Sequence, residues 1–175
     1  YGMRKEILFK KGIITALTVA MVTSLAPAIG AGGLKTITAK AEETESHNYN
    51  SQGFCTECDA YQSAVLTTDK YDIDDDNSKD DVYEIGNAGQ LFWFAKQFND
   101  DTNFNKKSNL KLMKDIKIPA GYDWTSIRDK SGTRSFEGTI EGNYHVISGL
   151  RPANDGTSSK YGLVASIKYG NVQNI

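Results

Sequence analysis

The stretch FEGTIEGNYHVISGL, residues 136–150, places short apolar segments between glycines. The same rhythm surrounds it: Leu110 alternates with Leu112 upstream, and YGLV (161–164) and GNVQNI (170–175) follow downstream. Segments this brief are unstable as isolated hairpins, but stacked as successive coils each would bury its apolar side chains on the next. From about residue 110 the sequence therefore predicts a mostly β fold, the start of a right-handed parallel β-helix.

A strand and one helix are predicted before these segments. Residues 82–85, VYEI, alternate between two faces as in a short strand. Asn87 is a suitable N-cap, with Gln90 three positions later as in a capping box. The apolar side chains that follow recur at helical spacing up to about Asn99: Leu91, Phe94, Ala95 and Phe98. This face is expected to pack into the core.

Residues 1–41 have the three regions of a secretory signal peptide. A basic head from Arg4 to Lys11 precedes an uncharged run from Gly12 to Leu34, and Ala39-Lys40-Ala41 offers a cleavage site. This pattern predicts a helical signal peptide and a secreted or cell-surface protein. The uncharged run is also long enough for a retained membrane anchor, although its threonines, Pro27 and glycines weaken that alternative.

Removal of the leader changes the charge of the protein. The whole chain has 20 basic and 22 acidic side chains. The leader holds six basic side chains and one acidic one, so residues 42–175 carry 14 basic and 21 acidic side chains, a net charge of −7. An acidic chain without a basic stripe is a poor match for a phosphate backbone, so nucleic acid is not an expected partner. Contact with a membrane is expected only through the signal peptide.

The rest of the chain divides by composition into three parts. Residues 42–68 form a polar lead-in that contains a Cys-x-x-Cys sequence, and residues 69–81 are expected to be an acidic loop. Residues 82–175 hold the predicted helix and the first coils of the β-helix. Tyr1 precedes a plausible initiator methionine and Ile175 falls inside a predicted strand. We therefore expect a fragment of a longer protein with further C-terminal repeats.

The repeats resemble a known family. Residues 136–150, followed by 161–164 and 170–175, are similar to the opening of GLUG-motif β-helix proteins, which occur on the surface of Gram-positive and gut bacteria. The segment YEIGNAGQLFWFA, residues 83–95, resembles the strand and helix that often precede such coils, and the resemblance implies that it caps the first rung. FCTECDAYQ, residues 54–62, looks like a cysteine module of similar exported proteins. Residues 162–165 depart from the family's glycine-phenylalanine-glycine segment, so repeat boundaries are not drawn from them.

The two cysteines and a histidine form the first candidate site. His47, Cys55 and Cys58 lie within twelve residues, and Cys-x-x-Cys can chelate Zn²⁺ because the turn between the cysteines brings both sulfurs to one side. A closed structural site needs a fourth ligand, which is not apparent unless Asp59 or a distant residue serves. The alternatives are a Cys55–Cys58 disulfide in an oxidising compartment, unpaired structural cysteines or a redox pair.

A second candidate site lies in the acidic stretch. Asp72, Asp74 and Asp76 present carboxylates at alternate positions, and clustered hard oxygens suit Ca²⁺. The spacing is not that of an EF-hand, because Asn77 stands where glycine is needed and Tyr83 where the bidentate glutamate belongs. The alternative is a solvated acidic loop without a metal.

No motif of a catalytic centre is evident. The sequence lacks a phosphate-binding loop, a nucleophile elbow and a metalloprotease motif. His145 is explained by strand alternation, while Trp124 and Tyr144 are either packing residues or sugar-stacking platforms. We therefore predict a non-enzymatic module for display or adhesion on the cell surface, with surface glycans or proteins of the host or of bacteria as partners. The alternative is the leading part of a secreted carbohydrate-active or peptidase-like enzyme whose catalytic residues lie beyond residue 175.

Overall fold

The structure is a computed structural model that describes residues 46–128, 134–153 and 162–175. The predicted signal peptide, residues 1–41, lies outside the described residues. Seven strands and one helix are described: β1 (Val65–Tyr71), β2 (Asp80–Ile85), α1 (Ala88–Asp100), β3 (Asn109–Leu112), β4 (Ile116–Lys117), β5 (Thr139–Glu141), β6 (Ile147–Ser148) and β7 (Asn171–Gln173). The described part is a sheet-dominated fold with a single helix, and at this level the predicted mostly β class is confirmed. Among the described residues, no helix is long and apolar enough to span a bilayer.

The strands pair mainly in parallel with segments about thirty residues away. The larger sheet has the order β1-β2-β3-β5-β7, in which only the β1–β2 pair is antiparallel. Leu110 pairs with Ile140, and Ile140 pairs with Val172. A second, two-stranded sheet pairs β4 with β6 in parallel, with Ile116 opposite Ile147. Successive segments thus lie beside one another with their apolar residues in register.

The helix forms where its caps and apolar face predict it. Asn87 accepts a hydrogen bond from the backbone N–H of Gln90 at 2.9 Å, as an N-cap does. The Gln90 side chain accepts a hydrogen bond from the backbone N–H of Gly86 at 2.7 Å. This resembles a capping box, except that the donor is one residue before the N-cap. The predicted inner face is confirmed as buried: Leu91, Phe94, Ala95 and Phe98.

The core lies between this helix and the parallel strands. Apolar residues from β2, β3 and β5 are fully buried at Ile85, Leu110 and Ile140. Phe136, just before β5, meets Phe98 of the helix with ring centroids 5.7 Å apart. Because neighbouring strands supply these side chains in turn, each segment is stabilised by burial against the next.

Close backbone approach explains the glycine at position 138. A Cβ built on Gly138 would lie 2.2 Å from the carbonyl oxygen of Ser108, the residue before β3. Gly170 repeats the arrangement one segment later, where a Cβ would lie 2.7 Å from the carbonyl oxygen of Gly138. Gly138 and Gly170 thus mark positions at which successive segments come too close for a side chain.

The acidic stretch is shorter as a loop than the sequence suggested. The assignment of all of residues 69–81 to a loop is wrong at both ends, since β1 continues to Tyr71 and β2 begins at Asp80. The cause is tertiary pairing: Tyr71 lies opposite Asp80 in the antiparallel ladder. β1 itself was not predicted. Its side chains are largely exposed at Val65 and Leu66, so it lacks the inward apolar alternation that signals a strand.

Candidate metal centre and neighbouring clefts

The cysteine module folds back on itself so that His47 approaches both thiols. The backbone N–H of Thr56 donates to the carbonyl oxygen of Asn48 at 2.9 Å, and Tyr49 forms an antiparallel bridge with Cys55. The N–H of Cys55 donates to the carbonyl oxygen of Ala60 at 2.9 Å, which closes the turn around Cys58. These bonds place His47 beside Cys58, eleven residues further along the chain.

The ligand atoms of this module converge. The Cys55 and Cys58 sulfurs are 2.8 Å apart, longer than the roughly 2.05 Å of a disulfide bond. The sulfur of Cys58 is 3.3 Å from Nδ1 of His47. All three ligand atoms lie within 4.8 Å of one another. The structure therefore brings together the three residues for which the sequence suggested zinc.

The surroundings of Cys55 favour its thiolate. A hydrogen bond from the Cys58 thiol, helped by the backbone N–H of Glu57, lowers the pKa of Cys55 to about 7 from an ordinary 9.0. Thiolates, not thiols, are the form that binds metals and attacks electrophiles. A substantial fraction of Cys55 is thus ready for such chemistry near neutral pH.

The module is fixed to the body of the protein by Phe54. This ring is 1% exposed and stacks on Tyr122 with centroids 3.8 Å apart. Behind it, Gly53 packs directly against the start of α1, where a Cβ on Gly89 would lie 2.0 Å from the Gly53 carbonyl oxygen. Cys55 directly follows this anchor, and Cys58 lies three residues further on, exposed to solvent.

The acidic loop gathers three carboxylates, but not the predicted three. Oxygens of Asp72, Asp74 and Asp80 lie within 4.8 Å of one another. Asp76 instead caps the turn after it by accepting from the backbone N–H and the hydroxyl of Ser78. Asp80 joins the cluster because the β1–β2 pairing returns it beside the loop, a contact that alternate spacing in the sequence does not reveal. The calcium hypothesis stays a prediction, with Asp80 in place of Asp76.

The carboxylates in this loop repel one another. Burial, followed by the neighbouring Asp76 and Asp80 carboxylates, raises the pKa of Asp74. The negative charge of Asp80 is partly compensated by a hydrogen bond, which its carboxylate accepts from the backbone N–H of Ile73 at 2.9 Å. One carboxylate oxygen of Asp72, Oδ1, is buried without a hydrogen-bond partner.

Sequence reasoning missed the role of Glu141, whose side chain joins β5 to β7. Its buried carboxylate accepts from the Gln173 side chain at 2.8 Å and from the Asn174 side chain at 3.0 Å, both in or beside β7. Burial raises the pKa of this carboxyl, but these bonds and one from the backbone N–H of Asn143 outweigh it, so the pKa is lowered. The sequence signal was weak: one glutamate at the end of the three-residue strand TIE.

A cleft of about 580 Å³ lies between α1 and residues 123–128. Aromatic and charged side chains line it together: Tyr61, Phe92, Lys96, Asp100, Trp124 and Arg128. Trp124 is only 3% exposed, and its indole N–H donates to the Gly162 carbonyl oxygen at 3.0 Å, so it packs as a core residue. Tyr144, by contrast, is 86% exposed. Of the two aromatics named from sequence as sugar platforms, only Tyr144 presents its ring to solvent.

The remaining histidine, His145, has a structural environment. Its Nδ1 is 3.2 Å from a carboxylate oxygen of Asp115. A hydrogen bond from the backbone N–H of Val146, helped by His145, lowers the pKa of Asp115. This contact agrees with a structural role for His145, but the residue lies between β5 and β6 and not in a strand, so strand alternation does not explain it. It lies on a different segment from the His47 cluster.

Comparisons of this chain with protein-family models, curated proteins and solved structures found no match. A functional proposal for this protein therefore rests on its own residues.

Proposed function

We propose that this chain forms the opening coils of a right-handed β-solenoid that the cell displays on its surface without catalytic activity. The observation that carries this proposal is the parallel pairing of β3, β5 and β7 at separations of about thirty residues. A parallel pair needs a long crossover between its strands, and repeated crossovers of similar length are what a solenoid consists of.

The pairing extends beyond the main sheet, which supports a full coil in each repeat. Parallel bridges join Trp124 with Pro152, Ile127 with Val164 and Phe136 with Ile167. Each bridge again joins positions one repeat apart. In this proposal α1 covers the first rung and further repeats continue from β7, as in the GLUG-motif proteins that the sequence resembles.

The surface function is proposed from the leader pattern and from the character of the coils. The turns of the coils carry exposed groups such as Tyr144 and Tyr169. Both tyrosines present amphipathic rings on turns, the kind of side chain that contacts glycans and proteins. Surface glycans or proteins are therefore the proposed partners.

The test is the location of the protein in the cells that produce it. An antibody to the chain should label intact cells, external protease should remove that label, and the exported protein should begin at Glu42. A chain retained inside the cell with its leader attached would overturn the proposal. Turnover of a polysaccharide or peptide library by the purified full chain would overturn its non-enzymatic part and favour the enzyme alternative.

A further inference from the structure

We propose that His47, Cys55 and Cys58 form a Zn²⁺ site with three protein ligands and one coordination position left for water or an external donor. This site is independent of surface display, because it uses none of the coil residues on which that function rests.

The distances fit a tetrahedral zinc ion after a small adjustment. With zinc bonds of about 2.3 Å to sulfur and 2.0 Å to nitrogen, tetrahedral geometry separates two sulfurs by roughly 3.8 Å and a sulfur from a nitrogen by roughly 3.5 Å. The Cys58 sulfur is already 3.3 Å from the His47 nitrogen. The two sulfurs, now 2.8 Å apart, need to separate by about 1 Å, which is within reach of a small side-chain rotation.

The backbone organises the three ligands before a metal arrives. The Thr56–Asn48 hydrogen bond and the Tyr49–Cys55 bridge hold His47 against the Cys-x-x-Cys turn. The buried Phe54 ring fixes that turn against the rings of Phe92 and Tyr122. Since the loop is already ordered, metal binding does not have to supply the whole entropy cost of assembling the site.

The position of His47 favours zinc over a disulfide. A disulfide needs only Cys55 and Cys58, whereas the structure adds an imidazole nitrogen as a third donor beside the Cys58 sulfur. Two thiolates and an imidazole form a ligand set suited to Zn²⁺ rather than to Ca²⁺ or Mg²⁺, which prefer oxygen. Each cysteine releases its proton on binding, so the site holds a net charge near zero with the metal in place.

The site lies at the surface, which gives the ion a route in. Cys58 is exposed and Cys55 is half-buried. Among the described residues, three donors lie together here, one fewer than a closed structural site needs. Zinc would join His47 to the two cysteines within residues 47–58 and present its open position to solvent.

The full chain, kept reduced, is titrated with Zn²⁺ against a competing chelator, and with Co²⁺ as a spectroscopic substitute. We expect one ion per chain, and a Co²⁺ spectrum with sulfur-to-metal charge-transfer bands and strong tetrahedral d–d bands. Cys58→Ser should abolish the charge-transfer bands of a two-thiolate site, and His47→Gln should weaken Zn²⁺ binding by at least tenfold.

His145→Gln is the matched control, because it removes the other histidine of residues 42–175 and should leave the affinity unchanged. Circular dichroism of each variant checks that the fold persists. The proposal is overturned by a wild-type chain that binds no Zn²⁺ when reduced, by a Co²⁺ spectrum without thiolate bands, or by equal losses in the two histidine variants. Exported protein that carries no metal and a mass two hydrogens below the reduced chain would also overturn it, in favour of the disulfide.

Discussion

Glu141 shows how one buried charge can stabilise the packing of neighbouring strands. Its carboxylate accepts hydrogen bonds from the Asn143 backbone and from the side chains of Gln173 and Asn174. Glu141→Gln turns an amide NH₂ toward these donors, so we expect the free energy of unfolding at pH 7 to fall by about 1–3 kcal/mol. Glu137→Gln, which removes one ion pair to a half-exposed lysine, should cost about 1 kcal/mol or less. Urea denaturation of the three proteins measures the difference.

The same carboxyl predicts a pH dependence. Its pKa in the folded state is lowered from an ordinary 4.5, so its contribution to stability is complete above that value and is lost as the pH falls through the lowered pKa. The stability difference between wild type and Glu141→Gln should therefore be constant from pH 7 to about pH 5 and shrink in more acidic solution. A difference that persists unchanged to pH 3 would contradict the assignment of Glu141 as an ionised acceptor.

At the scale of elements, tight stacking makes position 138 intolerant of a side chain. In Gly138→Ala the new methyl carbon would meet the Ser108 carbonyl oxygen at 2.2 Å, so β5 must move away from β3. We expect a loss of about 1–3 kcal/mol in the free energy of unfolding. Hydrogen exchange should also show reduced protection in residues 109–112. Gly86→Ala is the control, since its methyl would lie 3.4 Å from the movable Gln90 side chain. Equal stability of the two variants would contradict the close approach.

Elements whose signals are local were the ones that the sequence predicted well. The helix was predicted almost to its ends, because Asn87 and the Leu91–Phe98 stripe signal it within thirteen residues. β1 was missed, because its pairing with β2 decides it and its own side chains are mostly exposed. The same pairing brings Asp80 to the Asp72 and Asp74 carboxylates, so the membership of that cluster could not be predicted from spacing. His47, Cys55 and Cys58 were predictable because the turn that unites them is short.

At the scale of the whole molecule, the main sheet has two edges of different character. β1 forms one edge and β7 the other. The β1 edge carries a register shift between Thr67 and Tyr71, with Asp69 at a positive φ of 55°, and such a bulge twists an edge away from pairing. β7 has no such irregularity in its pairing. Its neighbourhood also exposes apolar side chains at Ile167, Val172 and Ile175.

We therefore expect the chain to self-associate through β7 as its concentration rises, because an unprotected strand edge offers backbone hydrogen bonds to a second copy. Val172→Lys places a charge on that edge and should shift the association to at least tenfold higher concentration in sedimentation velocity. Met113→Lys is the matched control, because Met113 is similarly exposed (39% against 36% for Val172) but follows β3 in the interior of the sheet. The leader is identical in the wild type and in the two lysine variants. Association through the leader would therefore produce no difference between them. A chain that stays monomeric at every concentration, or one in which both lysine variants behave alike, would show that β7 is not the adhesive edge.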